Sequence, residues 1–188
     1  MLSVDLLLRA YMSGAFPMAH PEDDNEIYWH TPNMRGIIPL DNRFRVTKNL
    51  SRLYRSGKFE FKISTEFETV IRHCAEQRES TWISEDIIDA YCELHRTGFA
   101  HSFEAWKDGK LAGGLYGVYI RKAFFGESMF HLVTDASKLA LVFLVEFLRE
   151  NEFKLLDTQY LNPHIASFGA YEIPHSEYLK LLRKATAM

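Results

Sequence analysis

Two carboxylates stand inside apolar segments of the chain, where a charged side chain needs a partner. Glu127 lies within residues 125–130 and Asp157 within residues 155–159. Burying an unpaired charge is costly, so each carboxylate is expected to bind another polar group. If that group is a nearby backbone N–H or hydroxyl, the carboxylate only supports the fold. If the two segments form neighbouring strands, the pair lies where an active site between strands would need it.

Several familiar catalytic sequences are absent from the chain. It has no GxGxxG or GK[ST] phosphate loop, no GxSxG nucleophile turn and no HExxH zinc motif. Its two cysteines, Cys74 and Cys92, have no second Cys and no His at zinc-ligand spacing. We therefore predict no metal site, and we interpret both cysteines as buried free thiols of a reducing compartment.

Positive charge is concentrated in one segment of an otherwise acidic chain. The formal net charge is −3, whereas residues 42–59 hold no acidic side chain and six basic ones, namely Arg43, Arg45, Lys48, Arg52, Arg55 and Lys58. Three of these follow i, i+4, i+7 spacing between a candidate N-cap at Thr47 and a candidate stop at Gly57, so they share one helix face. The segment is either a solvated surface helix or a face that binds RNA phosphates.

The elements that must position these residues follow an α+β order. Periodicity and capping residues predict helices at residues 3–12, 65–78, 84–98, 136–150 and 176–184, and strands at residues 59–63, 101–106, 110–119, 122–130 and 154–159. Asp108-Gly109 predicts a hairpin turn inside an antiparallel meander. The order of meander, buried helix and late strand matches the acyl-CoA N-acyltransferase type of fold, which does not by itself fix the chemistry.

The chain is expected to form two parts. Residues 1–60, which glycines and prolines interrupt repeatedly, predict a small N-terminal lobe that carries the basic helix, and residues 61–188 predict the catalytic domain. Residues 131–136, just before the buried helix, contain no glycine, which argues against the pyrophosphate loop of a CoA enzyme. No uncharged run reaches membrane-spanning length and the first eleven residues lack signal-peptide features, so we predict a cytoplasmic protein without a membrane partner.

Short motifs spread over nearly the whole chain carry a family resemblance. Taken in order, they resemble the leucyl/phenylalanyl-tRNA–protein transferase family, and they include Gly14-x-Phe16-Pro17, Trp29-His30-Thr31-Pro32-x-x-Arg35, Thr81-Trp82-Ile83, Gly113-Gly114-Leu115-Tyr116-Gly117-Val118, Gly126-Glu127-Ser128-Met129-Phe130, Ala136-Ser137-Lys138 and Asp157-x-Gln159. No single motif decides the resemblance, but their order together is specific.

This resemblance implies an aminoacyltransferase. Such an enzyme moves leucine or phenylalanine from aminoacyl-tRNA to the N-terminal Arg or Lys of an acceptor protein and so marks that protein for degradation. Methionine is expected to be a tolerated donor, because one methylene changes affinity by only about 1–3 kcal/mol. The ester is already activated, so the reaction needs no ATP, metal or CoA, and we predict no cofactor.

The resemblance also implies roles for particular residues. Asp157 and Gln159 would be the catalytic pair, in which Gln159 contacts the attacking amine and Asp157 orients it or attracts the cationic acceptor. Glu127 would hold the aminoacyl-adenosine end. An apolar substrate pocket would be formed by Trp82, Leu115, Met129, Phe130 and Asn162. Acceptor-stem phosphates would be bound without sequence readout by Arg43, Arg45, Lys48, Arg52 and Arg55.

Two other functions stay open at this point. The chain could be a non-catalytic paralogue that only binds tRNA or protein N-termini, although the intact Glu127, Asp157 and Gln159 favour an enzyme. It could also be a CoA-dependent N-acyltransferase, against which the glycine-free segment argues.

Overall fold

The structure, a computed structural model, describes residues 2–77 and 81–187. The described residues form helices α1 Val4–Ser13, α2 Lys48–Tyr54, α3 Phe67–Glu76, α4 Glu85–Arg96, α5 Ala136–Glu150, α6 Pro163–Ala166 and α7 His175–Thr186. They also form strands β1 Phe16–His20, β2 Glu26–His30, β3 Met34–Ile37, β4 Glu60–Ile63, β5 Ala100–Lys107, β6 Lys110–Ile120, β7 Ala123–His131, β8 Leu155–Gln159 and β9 Tyr171–Pro174. A single 3₁₀ turn, Pro21–Asp23, connects β1 to β2 within these ranges.

A seven-stranded sheet organises the molecule in the order β4-β5-β6-β7-β8-β3-β9, and β1 with β2 forms a separate hairpin. Strands β7 and β8 run parallel, while the other neighbouring pairs described in the large sheet are antiparallel. The predicted meander, buried helix and late strand follow one another as β5-β6-β7, α5 and β8. The α+β prediction of an acyltransferase-like architecture is therefore confirmed.

Two hydrophobic clusters cover the two faces of this sheet. One cluster packs α5 and α2 against side chains such as Leu115, and the other packs α1, α3, α4 and α7 against side chains such as Tyr116. Successive residues of a strand point to opposite faces, so neighbours on β6 enter different clusters. Helix α5 is buried over most of its circumference, as its apolar sequence predicts.

Glycines on β6 allow this close packing. A Cβ atom at Gly113 would lie 2.6 Å from the Cβ of Ala136, so only glycine lets the first turn of α5 sit so near the strand. The register also shifts between Tyr116 and Gly117. Helix packing at Gly113 and a bulge beside Gly117 therefore account for these two mid-strand glycines without a ligand.

The first 60 residues contain more regular structure than their glycines and prolines suggest. Strands β1, β2 and β3 all lie there, and β3 takes a place inside the large sheet between β8 and β9. Strand β3 precedes residue 60 and yet belongs to the same sheet as the strands of the larger part. The proposed division near residue 60 stays a prediction. The predicted end of the third helix at residue 78 lies outside the described residues.

Candidate functional site

A cleft opens where β7 and β8 separate. The two strands pair only from Ala123 to Phe125 with the segment from Leu155 to Asp157. Beyond that point residues of both strands line a cavity of about 430 Å³. Its apolar walls include Ile38, Leu115, Met129, Leu141, Leu144 and Leu156. Parallel strands that part in this way leave room for a ligand between two otherwise adjacent backbones.

A buried ion pair lies at the root of the cleft. The Arg35 and Asp157 side chains are both 0% exposed, and Arg35 Nη2 donates to Asp157 Oδ2 over 2.6 Å while Nε donates to Oδ1 over 3.0 Å. Tyr178 also donates its hydroxyl to Asp157 Oδ2, over 2.7 Å. Burial disfavours the Arg35 cation, but the charge and hydrogen bonds of Asp157 outweigh burial and raise the Arg35 pKa. The negative charge of Asp157 is therefore balanced by Arg35 without any substrate.

The same carboxylate shapes the backbone at Gln159. Asp157 Oδ1 accepts the backbone N–H of Gln159 over 2.7 Å, which is an Asx-type turn. Gln159 adopts φ 63°, a left-handed conformation that is uncommon for a residue other than glycine. The turn directs the Gln159 amide into the cleft, where its Nε2 donates to Glu127 Oε1 over 3.0 Å.

Glu127, a partly buried residue, supplies the carboxylate on the opposite wall. Its Oε1 also accepts from the Tyr11 hydroxyl, which in turn is hydrogen-bonded to the Tyr91 hydroxyl. Its Oε2 is buried and has no hydrogen-bond partner among the described residues. Burial is the main cause that raises the pKa of Glu127 to about 7. A buried acceptor of this kind suits a donor group supplied by a ligand.

Known proteins resemble the chain over nearly its whole length. A family model described as leucyl/phenylalanyl-tRNA protein transferase matches residues 37–183, and the model of its N-terminal domain matches residues 1–33. Relatives named leucyl/phenylalanyl-tRNA–protein transferase from Herpetosiphon aurantiacus and Akkermansia muciniphila are 52% and 50% identical to the chain. Both alignments cover 98% of this chain, with 94% and 96% of the relatives.

The chain belongs to the leucyl/phenylalanyl-tRNA protein transferase family. It is accordingly an aminoacyltransferase. The solved structure of L-PGS from Bacillus licheniformis is 10% identical, with a TM-score of 0.51 over 99% of this chain and 71% of that chain. At that identity the likeness shows the fold alone.

The cavity of this transferase brings together most of the residues that sequence reasoning assigned to it. Trp82, Leu115, Met129 and Asn162 line it together with Glu127, Asp157 and Gln159. The side-chain oxygen of Asn162 accepts the backbone N–H of Ile165 over 2.9 Å and so caps α6 at the cavity rim. The roles of these residues in substrate binding stay predictions.

Phe130 is placed differently from the prediction. It follows Met129 on β7, so its ring points to the opposite face of the sheet, where it is fully buried and stacks on His73 at 4.8 Å between centroids. Phe130 does not line the cavity, and its assignment to the substrate pocket was wrong.

Three residues that hold the site together were not assigned a role from the sequence. Arg35 stands in a matched motif, but its importance follows only from the pairing of β3 with β8. Tyr11 and Tyr178 come from the first and last helices, and burial raises the pKa of each well above its usual value, so both hydroxyls stay protonated. Elements from both ends of the chain therefore fix the candidate cleft.

The basic residues assigned to tRNA lie on the surface near α2. Arg43, Arg45, Lys48, Arg52 and Arg55 are all exposed. Thr47 caps α2 as predicted, by accepting the Leu50 N–H, but the helix ends at Tyr54 rather than continuing to Gly57. Arg43 pairs with Asp41, just outside the acid-free window, at 2.8 Å, and hydrogen bonds from Arg43 lower the pKa of Asp41 to about 2. The free positive charge of this face is therefore smaller than the sequence window suggests.

Within residues 2–77 and 81–187, His, Cys, Asp and Glu side chains form no group of three or more that could hold a metal ion. Likewise, none of the described helices combines the length and apolar character required to cross a membrane.

Proposed function

We propose that this transferase moves leucine or phenylalanine from aminoacyl-tRNA to the N-terminal Arg or Lys of an acceptor protein. The observation that carries the proposal is an apolar cavity whose polar end is formed by Glu127 and Gln159. Its walls suit an aliphatic or aromatic donor side chain. The unpartnered Oε2 of Glu127 suits the α-ammonium group of the same aminoacyl ester, because a buried carboxylate oxygen needs a donor.

The catalytic step needs orientation more than acid–base chemistry. The α-amine of the acceptor has an ordinary pKa of about 7.7–8.0, so part of it is neutral and nucleophilic at neutral pH. Its nitrogen attacks the ester carbonyl, a C–N bond forms, the bond from carbon to ribose oxygen breaks, and the ribose oxygen gains the proton that nitrogen loses. Gln159 holds the attacking amine through its amide oxygen, while Asp157 acts through Gln159 as a positioning residue.

The structure favours the orienting role of Asp157 over attraction of the cationic acceptor. Arg35 already neutralises the Asp157 carboxylate, and neither side chain is exposed. Recognition of an acceptor Arg or Lys therefore falls to other groups near the cavity mouth. By family resemblance, we further infer that the reaction takes place in the cytoplasm and marks its acceptors for degradation.

Transfer of labelled amino acid from charged tRNA to synthetic peptides tests this function. We expect transfer of Leu and Phe, and more slowly Met, to peptides that begin with Arg or Lys, and little transfer to a matched peptide that begins with Ala. tRNA charged with Asp serves as the donor control, because the cavity walls are apolar. Binding of tRNA without any transfer would indicate a binding paralogue, and acetyl transfer from acetyl-CoA would indicate the other class of acyltransferase.

A further inference from the structure

A surface groove leads away from the catalytic cavity toward the basic face. Met129 and His164 line both the cavity and an adjoining groove of about 390 Å³. That groove shares Asp135 and Lys138 with a depression of about 290 Å³, whose far wall includes Arg45. Successive hollows therefore share lining residues, in a series that runs from the cavity lined by Gln159 to the depression at the N-terminal end of α2. This series of hollows is the path.

The middle of this path is polar, and its lining includes one cationic and one anionic side chain, Lys138 and Asp135. Lys138 has 42% of its side chain exposed and lies 3.4 Å from Asp135. The imidazoles of His131 and His164 lie along the same stretch, and partial burial together with nearby Lys138 and His131 lowers the pKa of His164. The His164 ring can stack on or hydrogen-bond to a base. Gln77 bonds both backbone groups of His131 and so fixes the floor of the groove.

We propose that this groove holds the unpaired 3′ nucleotides of the donor tRNA, with Lys138 binding one of their phosphates. The inference rests on the proposed function, because it needs the aminoacyl ester in the cavity and the acceptor stem on the basic face. A single strand must connect these two places. Lys138 and Arg45 outweigh Asp135 among the Lys, Arg, Asp and Glu side chains that line the groove and the depression, so a cationic acceptor peptide fits there poorly. Positive charge beside flat rings suits single-stranded RNA.

Asp135 lowers the affinity of the groove for phosphate, because its carboxylate lies beside the ammonium group of Lys138. It stands at the N-cap of α5 with φ 68° and makes no side-chain capping bond. Asparagine tolerates this left-handed backbone, so Asp135→Asn removes the negative charge with little strain. Substitutions at Lys138 and Asp135 should therefore change the affinity for phosphate in opposite directions.

Binding of uncharged tRNA, followed by fluorescence anisotropy, tests the proposal. The probes are one tRNA with its 3′ tail intact and the same tRNA trimmed back to the paired stem. Lys138→Gln should weaken binding of the intact tRNA about fivefold, in the range of one exposed charge contact, and leave the trimmed tRNA unchanged. Its logarithmic salt slope on the intact tRNA should become shallower by about 0.7, the contribution of one single-strand phosphate.

Two companion variants sharpen the test. Lys138→Arg keeps the charge and should bind both probes as the wild type does, while Asp135→Asn should bind the intact tRNA about twofold to threefold more tightly. If Lys138→Gln weakens binding of both probes equally, Lys138 contacts the paired stem and not the 3′ tail. If it weakens binding of neither, Lys138 does not contact the tRNA. Each result overturns the proposal. A failed proposed function would show differently, as tail-dependent binding without transfer of Leu or Phe by the wild type.

Discussion

At the residue scale, the proposed mechanism separates Gln159, which would contact the substrate, from Asp157, which would position Gln159. Asp157 is saturated by Arg35, Tyr178 and the Gln159 N–H, so it acts by holding Gln159 in its unusual conformation. Gln159 and Glu127 then present the polar atoms that face the cavity. The sequence pointed to all three residues, but it could not distinguish these roles, because they depend on which oxygens are already paired.

Shortening Gln159 by one methylene tests its contact with the substrates. In Gln159→Asn the amide withdraws from the cavity, while asparagine still tolerates the left-handed backbone. We expect the transfer rate under saturating substrates to fall at least 100-fold, as for loss of one positioned polar group, and tRNA affinity to stay within about twofold. Single-turnover kinetics and anisotropy measure the two quantities. A parallel loss of affinity and rate would make Gln159 a binding residue instead.

The raised pKa of Glu127 predicts a pH-dependent stability. Its pKa is about 7 in the folded protein and 4.5 in the reference state, so the folded state holds the proton more tightly. The stability that this protonation contributes is complete below about pH 4.5 and is lost as pH rises through about 7. The wild type should therefore lose about 2–3 kcal/mol of unfolding free energy between pH 5 and pH 8 that Glu127→Gln, which cannot deprotonate there, does not lose. Urea unfolding at several pH values measures this, and parallel curves for the two proteins would contradict it.

At the element scale, strongly periodic segments could be predicted and short strands could not. Helix α5 was predicted at its observed bounds, and β5, β6 and β7 within about two residues, because periodicity and hairpin chemistry are local. Strands β3 and β9 were missed. Each has four residues and becomes a strand only by pairing with a distant partner, and the Arg35–Asp157 contact spans 122 residues. The strand that carries Arg35 could therefore not be predicted from local sequence.

The buried pair that joins β3 to β8 should matter far more for stability than an exposed pair of the same chemistry. Asp157→Asn leaves Arg35 buried without a counter-charge, and we expect the free energy of unfolding to fall by about 3–5 kcal/mol. Asp41→Asn breaks the exposed contact with Arg43 and should leave stability nearly unchanged. Chemical denaturation compares the two. Similar small effects would mean that the cleft does not depend on this pair.

At the scale of the whole molecule, the important feature is the placement of positive charge relative to the apolar cavity along the proposed RNA path. Arg45, one of the exposed basic residues near α2, lines one end of the path, and the apolar cavity forms the other end, although the chain carries a net charge of −3. Overall charge therefore gives no hint of RNA binding, whereas its distribution does. An RNA that lies along this path presents its end to Gln159 without any contact that reads sequence.

Reversing charge on the basic face should weaken tRNA binding specifically. Arg52→Glu with Arg55→Glu should lower affinity at least tenfold and make the logarithmic salt slope shallower by about two, roughly one per lost phosphate contact. Arg183→Glu with Lys184→Glu, on α7, changes net charge equally and is the matched control. Titrations at several salt concentrations compare the pairs. Equal losses for both would show that net charge alone matters.

The central claim is that the cleft between β7 and β8 holds the aminoacyl end of the tRNA, and a structure with a non-hydrolysable phenylalanyl-adenosine analogue tests it most directly. We predict that the α-ammonium nitrogen lies about 3 Å from Glu127 Oε2, with the phenyl ring against Leu141 and Leu144 and the carbonyl beside Gln159. An analogue bound outside this cavity, or bound inside it with its amine turned away from Glu127, would contradict the account.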